Sequence, residues 1–157
     1  MNNKETIEAF YKAFQNKDSK TMNSFLADDI EFNDPAFGTL KGDEVKYMWQ
    51  FLTENAKDFS LKFSNISADE FSGKANWVAT YTFATTGNKV INKVSSSFDF
   101  ENGKIISHKD DFDLKIWVKQ ALGNTSGIFG GSFLVKNMVQ KQSKALLLKY
   151  MSKKTLL

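Results

Sequence analysis

The stretch GKIISHKDDFD, Gly103–Asp113, holds the chain's single histidine and three carboxylates within six residues. Read with the two-residue period of a strand, it splits into two faces. Ile106, His108, Asp110 and Phe112 fall on one, and Ser107, Lys109, Asp111 and Asp113 on the other. The apolar neighbours mark the first face as the inner one. ENGK, Glu101–Lys104, enters this strand, and its Asn-Gly pair is a strong hairpin signal. Asp113 is placed to cap a following helix, DLKIWVKQALG.

The preceding segments alternate in the same way. Phe59, Leu61 and Phe63 share a face, as do Trp77, Ala79, Tyr81 and Phe83. Val90, Val94, Phe98 and Phe100 form a third set, opposite Lys93, Ser95, Ser97 and Asp99. The first third of the chain has the helical period instead. Ile7, Phe10, Tyr11 and Phe14 form one stripe, and Val45, Met48, Trp49 and Leu52, after Gly42, form another. A short helix from Asp18 is expected to bury Met22, Phe25 and Leu26. Ile30, Phe32 and Asp34 then read as a brief strand that Pro35 stops. Helices, four long strands and further helix give an α+β domain, with helices packed on one face of a curved antiparallel sheet.

Composition narrows the function. Fifteen Phe, four Tyr and three Trp require an aromatic core or a ring-lined cavity. With no cysteine there is no thiolate nucleophile, thiolate metal site or disulfide. All 21 basic residues are lysine, which argues against nucleic-acid partners, since bidentate phosphate and guanine contacts need arginine. No cofactor and no metal is expected. The N-terminus has no apolar signal core and no run is long enough to span a membrane, so the expected location is the cytoplasm.

Strand parity brings Asp34, His108 and Asp110 to the concave side of the sheet. Phe10, Trp49, Tyr81, Phe98 and Phe112 are the expected walls around them. An unpaired carboxylate buried among rings costs several kcal/mol or has its pKa driven upward. That is the condition a general base needs.

The segments IEAFYKAFQNKDSKTMNSFLADDIEFNDPAFGTLKGDEV and FDFENGKIISHKDDFD, in this order, resemble the SnoaL-like and ketosteroid-isomerase-like proteins of the nuclear transport factor 2 superfamily. The resemblance implies a cone, with helices packed into a curved sheet around one deep pocket. It makes residues 1–122 the SnoaL-like domain, with residues 123–157 a glycine-rich loop and a C-terminal helix packed on it. Asp34, in NDPAFG, matches the isomerases' general base. Their oxyanion-hole positions hold Phe10 and Ser96 here, with Tyr11 pointing elsewhere, which argues against a steroid isomerase. KDDFD resembles the RDYFD of limonene-epoxide hydrolases, with Asp110 at the catalytic aspartate, but their Asp–Arg pair has no arginine here. Proton abstraction alpha to a carbonyl, as in SnoaL-type cyclases, fits best.

Three readings follow. One is an isomerase, cyclase or hydrolase acting on a mostly apolar substrate, with Asp34 as base and His108–Asp110 orienting water or polarising a carbonyl. The second is a non-catalytic pocket that binds a small apolar ligand by its polar end. The third is a protein-interaction module. A homodimer is expected through the outer sheet face at Ile91, Ser95 and Ser97, a family habit. The glycine-rich run Gly123–Gly131 contains no GK[ST] and so is no phosphate loop. In the helix after it, Leu134, Val135, Met138, Val139, Ala145, Leu146 and Leu148 form an expected apolar side. Lys136, Lys141, Lys144 and Lys149 form a basic one. Packing of the apolar side on the domain is the favoured role, a lid over the pocket comes next, and membrane binding ranks last.

Overall fold

The structure, a computed structural model, describes residues 1–123 and 132–155. The glycine-rich joint expected to hinge a lid, residues 124–131, lies outside the described residues.

Helix α1 (Asn3–Gln15) starts at a capping box, in which Asn2 accepts from the Glu5 amide and Glu5 accepts from the Asn2 amide. The short α2 (Ser19–Ser24) is capped by Asp18 and buries Met22. The chain then forms β1 (Leu26–Asp34), β2 (Gly38–Lys41) and α3 (Asp43–Asn55). Four long strands follow: β3 (Lys57–Ala68), β4 (Ser72–Thr82), β5 (Lys89–Glu101) and β6 (Lys104–Asp111). Helices α4 (Leu114–Leu122, capped by Asp113) and α5 (Ser132–Thr155) end the described chain.

One six-stranded sheet, ordered β2-β1-β6-β5-β4-β3, carries the architecture. It differs from the expected antiparallel sheet at one seam, where β1 runs parallel to β6. The β5–β6 hairpin leaves the far side of β6 open, and β1 fills it. Pro35 ends β1 as expected, and a further short strand, β2, follows it. The proline sits in a three-residue turn from Asp34 to Gly38, which starts β2 with φ +70°. Glycine tolerates that left-handed conformation without strain.

The inner sheet face packs on α1 and α3. Ile7, Phe10, Tyr11 and Phe14 of α1 and Val45, Met48 and Trp49 of α3 are all buried. The fit between α1 and β4 is close at Gly73, where a Cβ would lie 2.6 Å from Ile7 Cδ1. Ile105, not Ile106, is the buried isoleucine of β6. A bulge opposite Asp99 and Phe100 takes Ile106 out of the alternation and restores it at His108.

Helix α5 packs on α3, but not by the side expected. Of that apolar side only Val139 is buried, together with Leu147, while Leu134, Met138, Leu146 and Leu148 are exposed. Tyr150 meets Phe51 at 5.3 Å and Tyr47 at 6.4 Å between ring centroids. Lys154 pairs with Glu54 at 3.3 Å, and Gln140 Nε2 donates to the Pro35 carbonyl at 3.2 Å. The inward face is set by these α3 partners, which sequence spacing within α5 does not reveal. Leu147→Ala should destabilise the fold by about 2–5 kcal/mol, lowering Tm by roughly 5–15 °C in calorimetry. An unchanged Tm would mean that α5 does not dock through Leu147.

Candidate functional site

The interior holds few polar groups. Among the described residues the buried ones are Thr6, Thr53, Ser96, His108 and Asp110. Three of these form a single chain of hydrogen bonds with two ring donors. Ser96, on the inward parity of β5, donates to Asp110 Oδ1 at 2.5 Å. It accepts from the Tyr11 hydroxyl at 2.9 Å and from Trp77 Nε1 at 2.7 Å. One donor and two acceptor positions exhaust a serine hydroxyl, so the direction of every bond is fixed.

Asp110 Oδ1 also lies 2.8 Å from His108 Nε2. A carboxylate can only accept, so Nε2 carries the proton and donates. His108 Nδ1 is then left sealed, without a partner among the described residues. His108 is 1 % exposed and Asp110 4 %. Four rings enclose the imidazole. Trp49 stacks on it at 5.6 Å and 23°, while Phe10, Phe32 and Phe98 approach at 5.6, 5.2 and 4.4 Å. Trp49 Nε1 is likewise buried without a partner.

Asp34 is built differently. Its Oδ1 accepts from the Ala36 amide at 2.9 Å and the Phe37 amide at 2.6 Å, so the side chain caps the β1–β2 turn. Oδ2 has no hydrogen bond to any described residue. The side chain is half-buried. Burial raises its pKa to about 7, the Asp110 charge pushes the same way, and the two amide bonds oppose both. Tyr81 is raised by burial and further by the Asp34 charge, and its hydroxyl accepts from Trp117 Nε1 at 2.7 Å. Burial, then the Asp110 charge, hold the Tyr11 hydroxyl well above the ordinary tyrosine range.

The expected site residues therefore fall into two groups. His108, Asp110, Phe10, Trp49 and Phe98 meet in the packed interior. Asp34, Tyr81 and Phe112 are half-buried, with Asp34 close enough to Asp110 to be acted on by its charge and close enough to Tyr81 to act on it. Asp111 is exposed, as strand parity required. Two surface clefts, of about 500 and 1050 Å³, open elsewhere, and both reach Asn102 and Ile106 at the β5–β6 hairpin. Neither is lined by Asp34, His108 or Asp110. No cluster of His, Asp or Glu among the described residues could hold a metal ion.

Tyr11, expected to point away, is fully buried in the same interior. The α1 face toward the sheet is wide enough to hold Phe10 and Tyr11, which are 100° apart on the helix. Trp77 is the other member that sequence reasoning did not join to the site, and Ser96, placed by the resemblance at an oxyanion-hole position, was not joined to Asp110. The signal for Ser96 was its inward parity between Val94 and Phe98, hidden in the run Ser95–Ser97.

Residues 7–108 match the family of SnoaL-like domains. The chain belongs to that family. Solved structures with the same fold include an epoxide hydrolase of the limonene-epoxide-hydrolase type from M. tuberculosis. It is 23 % identical, with a TM-score of 0.64, over 76 % of this chain and 89 % of that one. A nuclear transport factor 2-like protein of unknown function from Burkholderia pseudomallei is 22 % identical, with a TM-score of 0.67, over 77 % and 98 %. A ketosteroid-isomerase-like protein from Catenulispora acidiphila, bound to trimethylamine, is 14 % identical, with a TM-score of 0.65, over 74 % and 92 %. No curated protein matches the sequence. At these identities the structures establish the SnoaL-like fold and leave the activity to the residues.

Ser96→Ala strips Tyr11, Trp77 and Asp110 of a partner at once and should cost about 3 kcal/mol or more. Tyr11→Phe removes one bond of the three and should cost about 1 kcal/mol. Urea denaturation measures both, and equal losses would show that Ser96 is not the junction.

Proposed function

We propose that this SnoaL-like protein takes a small, mostly apolar ligand with a polar end, and that Asp34 is the general base that removes a proton alpha to a carbonyl. The observation that carries this reading is the state of the Asp34 carboxyl. One oxygen is fixed by two backbone amides, the other has no hydrogen bond to any described residue, and burial places its pKa at about 7. A base is most effective when its pKa lies near the working pH. Fixing Oδ1 orients Oδ2 without neutralising it. Asp110, held by Ser96 and His108, acts on Asp34 through its charge. In this reading His108 and Asp110 are positioning residues, because four rings separate the imidazole from solvent.

That enclosure favours a second reading, in which the same carboxyl holds the polar end of a ligand and no proton is transferred. A cytoplasmic homodimer, paired through the outer sheet face at the exposed Ile91, belongs to either reading.

Deuterium exchange at the alpha carbons of a panel of apolar cyclic ketones, followed by proton NMR, separates the readings. The wild type should accelerate exchange, with a rate that climbs through about pH 7 and then levels as Asp34 ionises. Asp34→Asn should lose at least about 100-fold. Ketone binding without faster exchange would leave only the carrier reading, and neither binding nor exchange would remove both.

A stability test works without a substrate. The folded pKa of Asp34 lies above its unfolded value of 3.8. The native state therefore holds the extra proton between those two values, and ionisation of Asp34 weakens the fold as pH rises from about 4 through 7. Asparagine can still accept from the Ala36 and Phe37 amides. Asp34→Asn should raise Tm at pH 8 and change it little at pH 4, and an equal effect at both would refute the raised pKa.

A further inference from the structure

We infer that the outward face of α5 docks on an anionic lipid surface. The helix turns Val139 and Leu147 inward and leaves a second stripe in solvent. Leu134, Met138, Lys141, Ala145, Leu148 and Ser152 recur at steps of four, three, four, three and four, which keeps them on one side of a helix. The stripe is about 27 Å long at 1.5 Å per residue. Leu134 is 59 % exposed, Met138 42 % and Leu148 57 %. Of the nine large apolar side chains exposed among the described residues, three lie in this stripe, and Phe133 and Leu146 lie on other sides of the same helix. An apolar surface of this concentration marks an interaction site.

Charge decides the occupant. Ser132–Thr155 contains six lysines and no acidic residue. Among the described residues only Lys154 of these has an acidic partner, Glu54. A second copy of the helix laid against the first would bring like charges together along its whole length. A bilayer surface bearing acidic headgroups suits both components: the leucines and the methionine enter the headgroup boundary, and the exposed Lys141 and Lys149 stretch their charged ends to the phosphates. Three partly exposed aliphatic side chains bind weakly by themselves, so the lysines are required and neutral lipid should not suffice.

The location gives the contact a use. Gln140 bonds to the Pro35 carbonyl, and Gln140 and Lys144 crowd Gly38, in the turn that Asp34 caps. Lipid docked on α5 would lie alongside the half-buried Asp34, and an apolar ligand dissolved in the bilayer would have a short path to it. This use rests on the reading of Asp34 as the ligand site, whereas the docking does not.

Co-sedimentation of the full chain with vesicles tests the docking. The protein should bind phosphatidylglycerol–phosphatidylcholine vesicles, release from them at high salt, and ignore pure phosphatidylcholine. Lys141→Gln with Lys149→Gln should weaken binding about 25-fold, roughly fivefold for each lysine. Leu134→Ser with Leu148→Ser should abolish it, and Tm should hold in both double variants because all four side chains are exposed. Asp34→Asn should bind vesicles as the wild type does, which separates this proposal from that for Asp34. No binding to anionic vesicles, equal binding to neutral ones, or binding that survives both double variants would overturn the inference. So would a dimer in light scattering that Leu134→Ser with Leu148→Ser dissociates in a protein that ignores lipid, since the face would then belong to a second copy.

Discussion

A carboxylate inside an aromatic core is costly unless donors meet it there, and Asp110 sets that condition for the whole domain. Its Oδ1 is answered by the Ser96 hydroxyl and by His108. Ser96 can serve it only because Tyr11 and Trp77 fill its own two acceptor positions. The five side chains come from α1, β4, β5 and β6. The network therefore fixes the first helix against three strands and pins the strands to one another. A one-residue slip of β6 would replace Asp110 with Lys109 or Asp111 and send His108 outward.

The same arrangement divides the acidic groups by role. Asp110 is given donors from two side chains, whereas Asp34 is given two backbone amides on one oxygen and, among the described residues, no donor on the other. Asp34 has no lysine to pair with, so burial and the nearby Asp110 charge act on it with only the amide bonds in opposition. A chain without arginine lacks the usual neutralising partner for such a carboxylate. Proton affinity near neutrality follows from that deficit and does not require a dedicated catalytic motif.

Much of this was legible in the sequence. The stripes in α1 and α3, the Asn102–Gly103 turn, the Asp113 cap and the inward parity of His108 and Asp110 all rest on local periodicity, and local periodicity survives folding. The parity argument reached the right residues from Ile106, which the bulge in β6 removes from the inner face. The alternation resumes at His108, and that is why the conclusion held. Long-range partners were not legible. Nothing local says that β1 lies parallel to β6, that Tyr11 bonds a serine 85 residues away, or that α5 buries Leu147 and Val139 in preference to Leu134 and Leu148. Pro35 does stop β1, and strand β2 was missed because its four residues, Gly38–Lys41, are too few to show an alternation of their own.

The central claim is that one carboxyl, Asp34, keeps its proton to near neutral pH and ionises at about 7. Carbon-13 NMR of aspartate side-chain carboxyls, followed across pH, reads this directly. The account predicts a resonance with a midpoint at about 7 that is missing from Asp34→Asn and unchanged in Asp111→Asn. An Asp34 resonance that titrates near the ordinary aspartate value, about 4, would contradict it.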